Sequence, residues 1–144
     1  MNTELYSIST LLGLVEIEPA HLTGETEHLI IHPTAFATLV ENRPAQVVFS
    51  EMYYSISHKL TGLNVGGHFH NADLAMSAAQ ALENVPIEWG SEDAAYFKTR
   101  LPLAKIRKAI QDRGGTFETQ TKFYERIMGA GVILTPEMTA LCSR

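Results

Sequence analysis

Two histidines separated by one residue are the nearest thing in this sequence to a metal-binding pattern. His68 and His70 lie in a segment that favours a strand, where residues two positions apart project to the same side. Imidazole is a common zinc ligand, but two ligands do not complete a site, and a third would have to come from His28, His32 or Glu51. We therefore predict no metal, and keep a metal-dependent hydrolase built on these two histidines as an alternative.

Charge is unevenly distributed along the chain. Residues 98–126 carry eight bases against three acids, whereas residues 1–97 carry twelve acids against two bases, in a chain with a net charge of −5. Such a partition is typical of a surface that binds a charged partner. The alternative is that the acidic and basic parts attract each other within one fold and leave no recognition surface.

The candidate binding residues form three groups: bases of the C-terminal helices, ring-bearing residues of a hairpin, and acids of an early strand. They are Lys98, Arg100, Lys105, Arg107 and Lys108; Tyr53, His68 and His70; and Glu16 and Glu18. Rings beside bases are typical of single-stranded nucleic-acid binding, so an accessory protein of that kind is a second alternative. The excess of acids opposes it, because a polyanion needs local positive charge, and we predict a protein partner.

The sequence contains no recognisable catalytic motif. The glycine-rich TGLNVGGH lacks the Lys-Ser/Thr pair of a phosphate-binding loop, and no serine, histidine and acid follow a recognisable catalytic order. Cys142 is the one cysteine, which excludes an intramolecular disulfide and a cysteine-rich zinc site. We therefore expect a non-catalytic protein with no catalytic residue and no cofactor.

Length and hydropathy set the class of molecule. With 144 residues and 45% hydrophobic content, the chain has the size of one domain, residues 1–144. It lacks the basic start of a secretory signal and has no apolar run near the roughly 20 residues that span a bilayer. We expect a cytoplasmic protein without membrane association, and leave a homodimer open.

Local patterns predict the secondary structure. Alternation predicts a strand over residues 14–18, with Glu16 and Glu18 facing water, and further strands over residues 27–32 and 46–50. Between the last two, Thr34 is suited to cap a short helix that ends at residue 40.

A hairpin and a helix follow. A two-residue turn at Thr61 and Gly62 would place Tyr54, Ile56, His58, Leu60, Leu63, Val65 and Phe69 in the core, and Tyr53, Ser55, Ser57, Lys59, Asn64, His68 and His70 in water. Asn71 then caps a helix with Leu74, Ala78 and Leu82 on one side.

Later helices are expected after Ser91, after Pro102 and over residues 119–128, with a short strand at residues 132–134. Together these elements predict an α+β fold: an antiparallel sheet of about four or five strands, helices packed on one face, and a mostly helical C-terminal half.

Residues 53–85 resemble a small ββα module of uncharacterised phage and plasmid proteins. The resemblance lies in Tyr54, Ile56, Ser57, His58, Lys59, Thr61, Gly62, Leu63, Phe69, Ala75, Ala79 and Leu82. It implies a mobile-element accessory protein that acts on a host or phage protein, such as an inhibitor of a host defence system of the anti-CRISPR kind. The family has no assigned catalytic residues to transfer.

Overall fold

The computed structural model describes residues 6–10, 13–38 and 46–117. Its elements, in chain order, are β1 (Tyr6–Thr10), β2 (Gly13–Ile17), a 3₁₀ helix (Pro19–His21), β3 (Gly24–Glu25), β4 (Leu29–Thr38), β5 (Gln46–His58), β6 (Asn64–Phe69), α1 (Ala72–Glu83), α2 (Ala94–Thr99), α3 (Leu103–Gln111) and β7 (Thr116–Phe117). The α+β class with antiparallel sheets is confirmed. Seven strands are described, more than predicted. The helix and strand expected after residue 118 lie outside the described residues.

The strands form two antiparallel sheets. Five of them pair in the order β3-β4-β5-β6-β7, and β1 pairs with β2 as a separate hairpin. Side chains alternate between the two faces of β4, so Leu29 and Ile31 pack with the helices while Ile30 packs with Ile8 and Ile17 of the hairpin. The five-stranded sheet therefore lies between a helical layer and the β1–β2 hairpin.

The helix predicted after Thr34 is wrong, because β4 continues as a strand to Thr38. Ala35 pairs with Phe49 and Thr38 with Gln46, so the pairing with β5 determines the conformation of this segment. A local capping signal is weaker than a continuous strand ladder formed with a distant part of the chain. Residues 39 and 40 of the predicted helix lie outside the described residues.

A bulge interrupts the pairing of β4 with β5. Pro33 pairs with Tyr54 and Ala35 with Phe49, so four residues of β5, numbers 50–53, lie opposite the single residue Thr34. The Ser50 hydroxyl oxygen accepts hydrogen bonds from the backbone N–H groups of Met52, at 3.0 Å, and residue 53, at 3.1 Å. The thirteen-residue strand β5 is thereby divided into two paired segments.

The β5–β6 hairpin places Tyr54 with Phe69 on one side and Ser55 with His68 on the other, as predicted, but it turns differently. Tyr54 pairs with Phe69 and Ser55 with His68, whereas nearer the turn the register shifts and Ser57 pairs with Asn64. The predicted two-residue turn is wrong: the strands close between His58 and Leu63 around a loop of residues 59–62. Gly62 has a φ of 74°, a left-handed conformation that favours glycine. Leu60, predicted in the core, is exposed because it lies in this loop.

The helices follow their capping residues. Asn71 caps α1 as predicted, its side-chain oxygen accepting a hydrogen bond from the Leu74 amide at 2.8 Å. Asp93 caps α2 in place of the predicted Ser91, and α3 begins after Pro102 as predicted. No helix in the described ranges has the length and apolar content needed to cross a lipid bilayer.

Candidate functional site

Close packing against β6 fixes the orientation of α3. Ile106 and Ile110, one helical turn apart, are buried in the core with Phe69. A Cβ atom on Gly67 would lie 3.0 Å from Ile110 Cγ2, so the absence of a side chain there lets the helix approach the strand. The side of α3 opposite these isoleucines therefore faces solvent.

Three of the predicted bases lie on the exposed part of the α3 surface. Lys105, Arg107 and Lys108 are all exposed, and Leu103 at the start of the helix is 59% exposed. The Arg107 guanidinium lies 5.3 Å from the centre of the Phe117 ring, a cation–π contact that restricts its position. Lys105, Arg107 and Lys108 form the basic face of α3. Leu103 shares the side of Ile106 and Ile110 and lies at the edge of this face, one helical turn from Arg107.

The remaining predicted bases belong to the preceding helix. Lys98 lies in α2, and Arg100 is the exposed residue at its C-terminal cap. Arg113, which was not selected from the sequence, donates a hydrogen bond to the Ser77 hydroxyl at 3.2 Å and so connects the end of α3 to α1.

The described ion pairs do not join the acidic part of the chain, residues 1–97, to the basic part, residues 98–126. Among the described side chains, lysine pairs with carboxylate at Lys59–Glu25, 2.8 Å, and at Lys108–Asp112, 3.3 Å. Each pair lies within its own charge region, so in this part of the chain no acid before residue 98 forms an ion pair with a base after it. The second pair is exposed and contributes little to stability, leaving Lys108 available to a partner.

Both predicted acids lie at the surface of the β1–β2 hairpin. Glu16 on β2 and Glu18 just after it are exposed, and Leu14, on the same side of the strand, is 65% exposed. The other side of the hairpin carries Ile8 and Ile17, which are buried against the sheet. Leu14, Glu16 and Glu18 form the acidic face of the hairpin.

The hairpin is held against the β5–β6 loop by a polar cluster. The Tyr6 hydroxyl donates to the Glu25 carboxylate at 3.1 Å, and the Lys59 ammonium lies 5.5 Å from the centre of the Tyr6 ring. The hydrogen bond from Lys59 lowers the pKa of Glu25 below its ordinary value, so this carboxylate stays charged at neutral pH.

The ring-bearing residues are only partly brought together. The rings of Tyr53 and His70 have centroids 5.1 Å apart and lie at the end of β6, with His70 exposed. His68 is buried on β6 opposite Ser55. Ser55 and Ser57 are buried as well. The prediction that this side of the β5–β6 hairpin faces solvent is therefore wrong, because the β1–β2 hairpin packs on that side of the sheet.

Metal binding finds no support among the described residues. Within them, no group of three histidine, cysteine or acidic side chains is placed to hold a metal ion. His68 and His70 also differ in environment, since the first is buried and the second exposed.

A buried histidine–serine pair, which sequence reasoning missed, lies on the hairpin side of the sheet. His32 Nδ1 is 2.7 Å from the Pro33 carbonyl oxygen, and His32 Nε2 is 2.8 Å from Ser57 Oγ. A carbonyl only accepts, so the proton is assigned to Nδ1 and Nε2 accepts from the serine hydroxyl. Burial lowers the pKa of His32 to about 4, although the carbonyl acts in the opposite direction, and the ring is neutral at pH 7.

The geometry of this pair is that of a nucleophile and its base, but its location is not. His32 is 2% and Ser57 1% exposed, so a substrate has no access to either side chain. Beside them, the hydroxyls of Thr34 and Ser55 hydrogen-bond to each other at 2.7 Å. A buried, hydrogen-bonded cluster of this kind stabilises a particular strand pairing.

His58 is the hydrogen-bonded core histidine that its position predicts. Its Nε2 donates to the Trp89 carbonyl oxygen at 2.5 Å and its Nδ1 lies 2.9 Å from Thr61 Oγ1. The ring centroid is 4.1 Å from that of Phe97. Burial lowers the pKa of His58, which outweighs the opposite effect of the carbonyl. The residue thus connects the hairpin loop to the segment before α2.

A second unpredicted cluster holds the end of α1. The Glu83 carboxylate accepts hydrogen bonds from the Thr26 hydroxyl at 2.6 Å and the His28 amide at 2.8 Å, and its other oxygen lies 2.7 Å from His28 Nδ1. Burial alone would raise the pKa of Glu83, but these hydrogen bonds together outweigh it and the net pKa is lowered. The carboxylate therefore joins α1 to the β3–β4 turn.

Comparison with protein-family models, with curated proteins and with solved structures finds no match to this chain. The ββα order expected of residues 53–85 is present as β5, β6 and α1. The relation to phage and plasmid proteins stays a prediction.

Proposed function

We propose that this chain is a non-catalytic binding protein that recognises an acidic protein surface through the basic face of α3. The observation that carries the proposal is the exposure of Lys105, Arg107 and Lys108 beside an exposed Leu103. Leu103 lies at the edge of this face, one helical turn from Arg107, where it adds an apolar contact to the charged ones. Charge complementarity with an acidic partner would increase the association rate.

A protein fits this face better than a nucleic acid does. Leu103 offers nothing to a phosphate backbone, whereas it can be buried against an apolar side chain of a protein. The chain has a net charge of −5, which opposes the binding of a polyanion. Single-stranded nucleic acid is thus the weaker candidate.

The biological setting follows from the resemblance of residues 53–85. We propose a protein of a phage or plasmid that acts on a host or phage protein in the cytoplasm, as an inhibitor of a host defence system would. Residues 1–144 are proposed to fold as one domain. The observation that supports this setting is the ββα order of β5, β6 and α1.

A pulldown with matched variants tests the proposal. Lys105→Gln with Arg107→Gln removes two positive charges from the basic face of α3. The control, Gln80→Glu with Ala94→Glu, changes the net charge equally at exposed positions of α1 and α2. From a nuclease-treated bacterial lysate, we expect the wild type and the control to retain a partner that the first variant loses.

Equal melting temperatures of the three proteins would show that folding is unchanged. If all three capture the same partners in the same amounts, α3 is not the binding face and the proposal fails. Gel retardation of single-stranded DNA and RNA at low salt tests the alternative. Retardation by the wild type that the Lys105→Gln/Arg107→Gln variant loses would replace the protein partner with a nucleic acid.

A further inference from the structure

Two exposed faces of opposite charge lie on opposite sides of the five-stranded sheet. The basic face of α3 belongs to the helical layer, because Ile106 and Ile110 pack with Ile31 and Ile56. The acidic face of the hairpin belongs to the other layer, because Ile8 and Ile17 pack on Ile30. The sheet keeps the two faces apart within one molecule.

The two faces are complementary in composition as well as in charge. The acidic face has Leu14, 65% exposed, beside Glu16 and Glu18, and the basic face has Leu103, 59% exposed, at its edge one turn from Arg107. Each face thus has an exposed leucine that provides an apolar contact, and the charges of the two faces are opposite in sign.

We propose that the acidic face of the hairpin of one copy binds the basic face of α3 of a second copy. This inference rests on the proposed function, because it uses the same face of α3, and it names the chain itself as an acidic partner. A copy bound in this way competes with any other protein for α3.

The placement of the faces determines the kind of assembly. Two different surfaces meet, so the contact is heterologous, and because the surfaces lie on opposite sides of the sheet each bound copy leaves one face free. The protein therefore associates head to tail into dimers and longer chains. The faces are small compared with those of stable interfaces, so association is weak and decreases with added salt.

Sedimentation equilibrium of the full-length purified protein tests the inference. We expect the weight-average mass to rise above the monomer mass of 15.9 kDa as concentration approaches about 1 mM at low salt, the range of weak contacts. Glu16→Lys with Glu18→Lys should abolish the rise, as should Lys105→Glu with Arg107→Glu. The control Gln80→Glu with Ala94→Glu should leave it unchanged.

Mixing the two charge-reversed proteins gives the decisive result. The first retains a basic α3 and the second an acidic hairpin, so an equimolar mixture restores the native contact and the mass rises again. A wild type that stays monomeric, variants that associate like the wild type, or a mixture that stays monomeric would each overturn the inference.

Failure of self-association can be distinguished from failure of the proposed function. If the protein is monomeric but its capture of a partner in the pulldown still depends on Lys105 and Arg107, the proposed function is supported and self-association is refuted. Self-association that both charge reversals abolish, with no other α3-dependent partner, supports the inference and contradicts the proposed recognition of a foreign protein.

Discussion

Acid should destabilise this protein well above the pH at which its carboxylates titrate, because His32 is neutral in the folded state. The pKa of His32 is about 4 in the folded chain and near 6.5 when unfolded. Between these values the unfolded state binds a proton that the folded state does not, so stability falls as pH decreases from about 6.5 to about 4. This residue should lower the free energy of unfolding by about 2 kcal/mol at pH 5 relative to pH 8, and by about 3 kcal/mol below pH 4.

Urea denaturation of the wild type and His32→Gln at pH 8, 6 and 5 measures this effect. The variant loses stability at every pH if its packing is poorer, but its free energy of unfolding should fall less steeply below pH 6.5. Burial also lowers the pKa of His58, which contributes in the same direction in both proteins and cancels in the comparison. His70→Gln, at an exposed position, should follow the wild-type profile. Parallel profiles for the wild type and His32→Gln would refute the reasoning.

Three further predictions concern packing, a buried carboxylate and the binding face. Gly115→Ala would place a methyl group against the Phe69 ring and Ile110 and should lower the free energy of unfolding by about 1–3 kcal/mol, whereas Gly90→Ala, where nothing lies within 4 Å, should not. Glu83→Gln should lower the free energy of unfolding, measured by urea denaturation at pH 7, by about 1–2 kcal/mol. The Glu83 pKa is lowered, so this difference should shrink as pH falls below 4.5, and a constant difference would contradict the assignment. Leu103→Ala should leave the melting temperature unchanged while weakening partner binding in the pulldown, and unchanged binding would exclude Leu103 from the interface.

Elements governed by local signals could be predicted from the sequence. Asn71 caps α1 and Pro102 precedes α3 as expected, since capping and proline geometry act within a few residues. The alternation of residues 14–18 matches β2 and the exposure of Glu16. The prediction of a helix after Thr34 was wrong because the conformation there depends on pairing with residues eight to fourteen positions further along the chain.

The candidate site was predictable to a smaller extent. Helical periodicity predicts that Lys105 and Lys108 are exposed, because the buried isoleucines define the opposite side of α3. The pairs His32–Ser57 and His28–Glu83 join residues 25 and 55 positions apart, and a single sequence carries no signal for such contacts. Burial of Ser55, Ser57 and His68 was missed for a similar reason: alternation identifies two sides of a strand but not what covers each.

The bulge at residues 50–53 limits how β4 and β5 can misalign. An uninterrupted antiparallel pair of this length can slide by two positions and still direct the same side chains to the same side. Here the pairs on either side of Thr34 follow different registers, so a slide that suits one half would displace the bulge closed by Ser50 and mismatch the other half. The bulge therefore disfavours shifted pairings of β4 with β5 and helps to specify the native register.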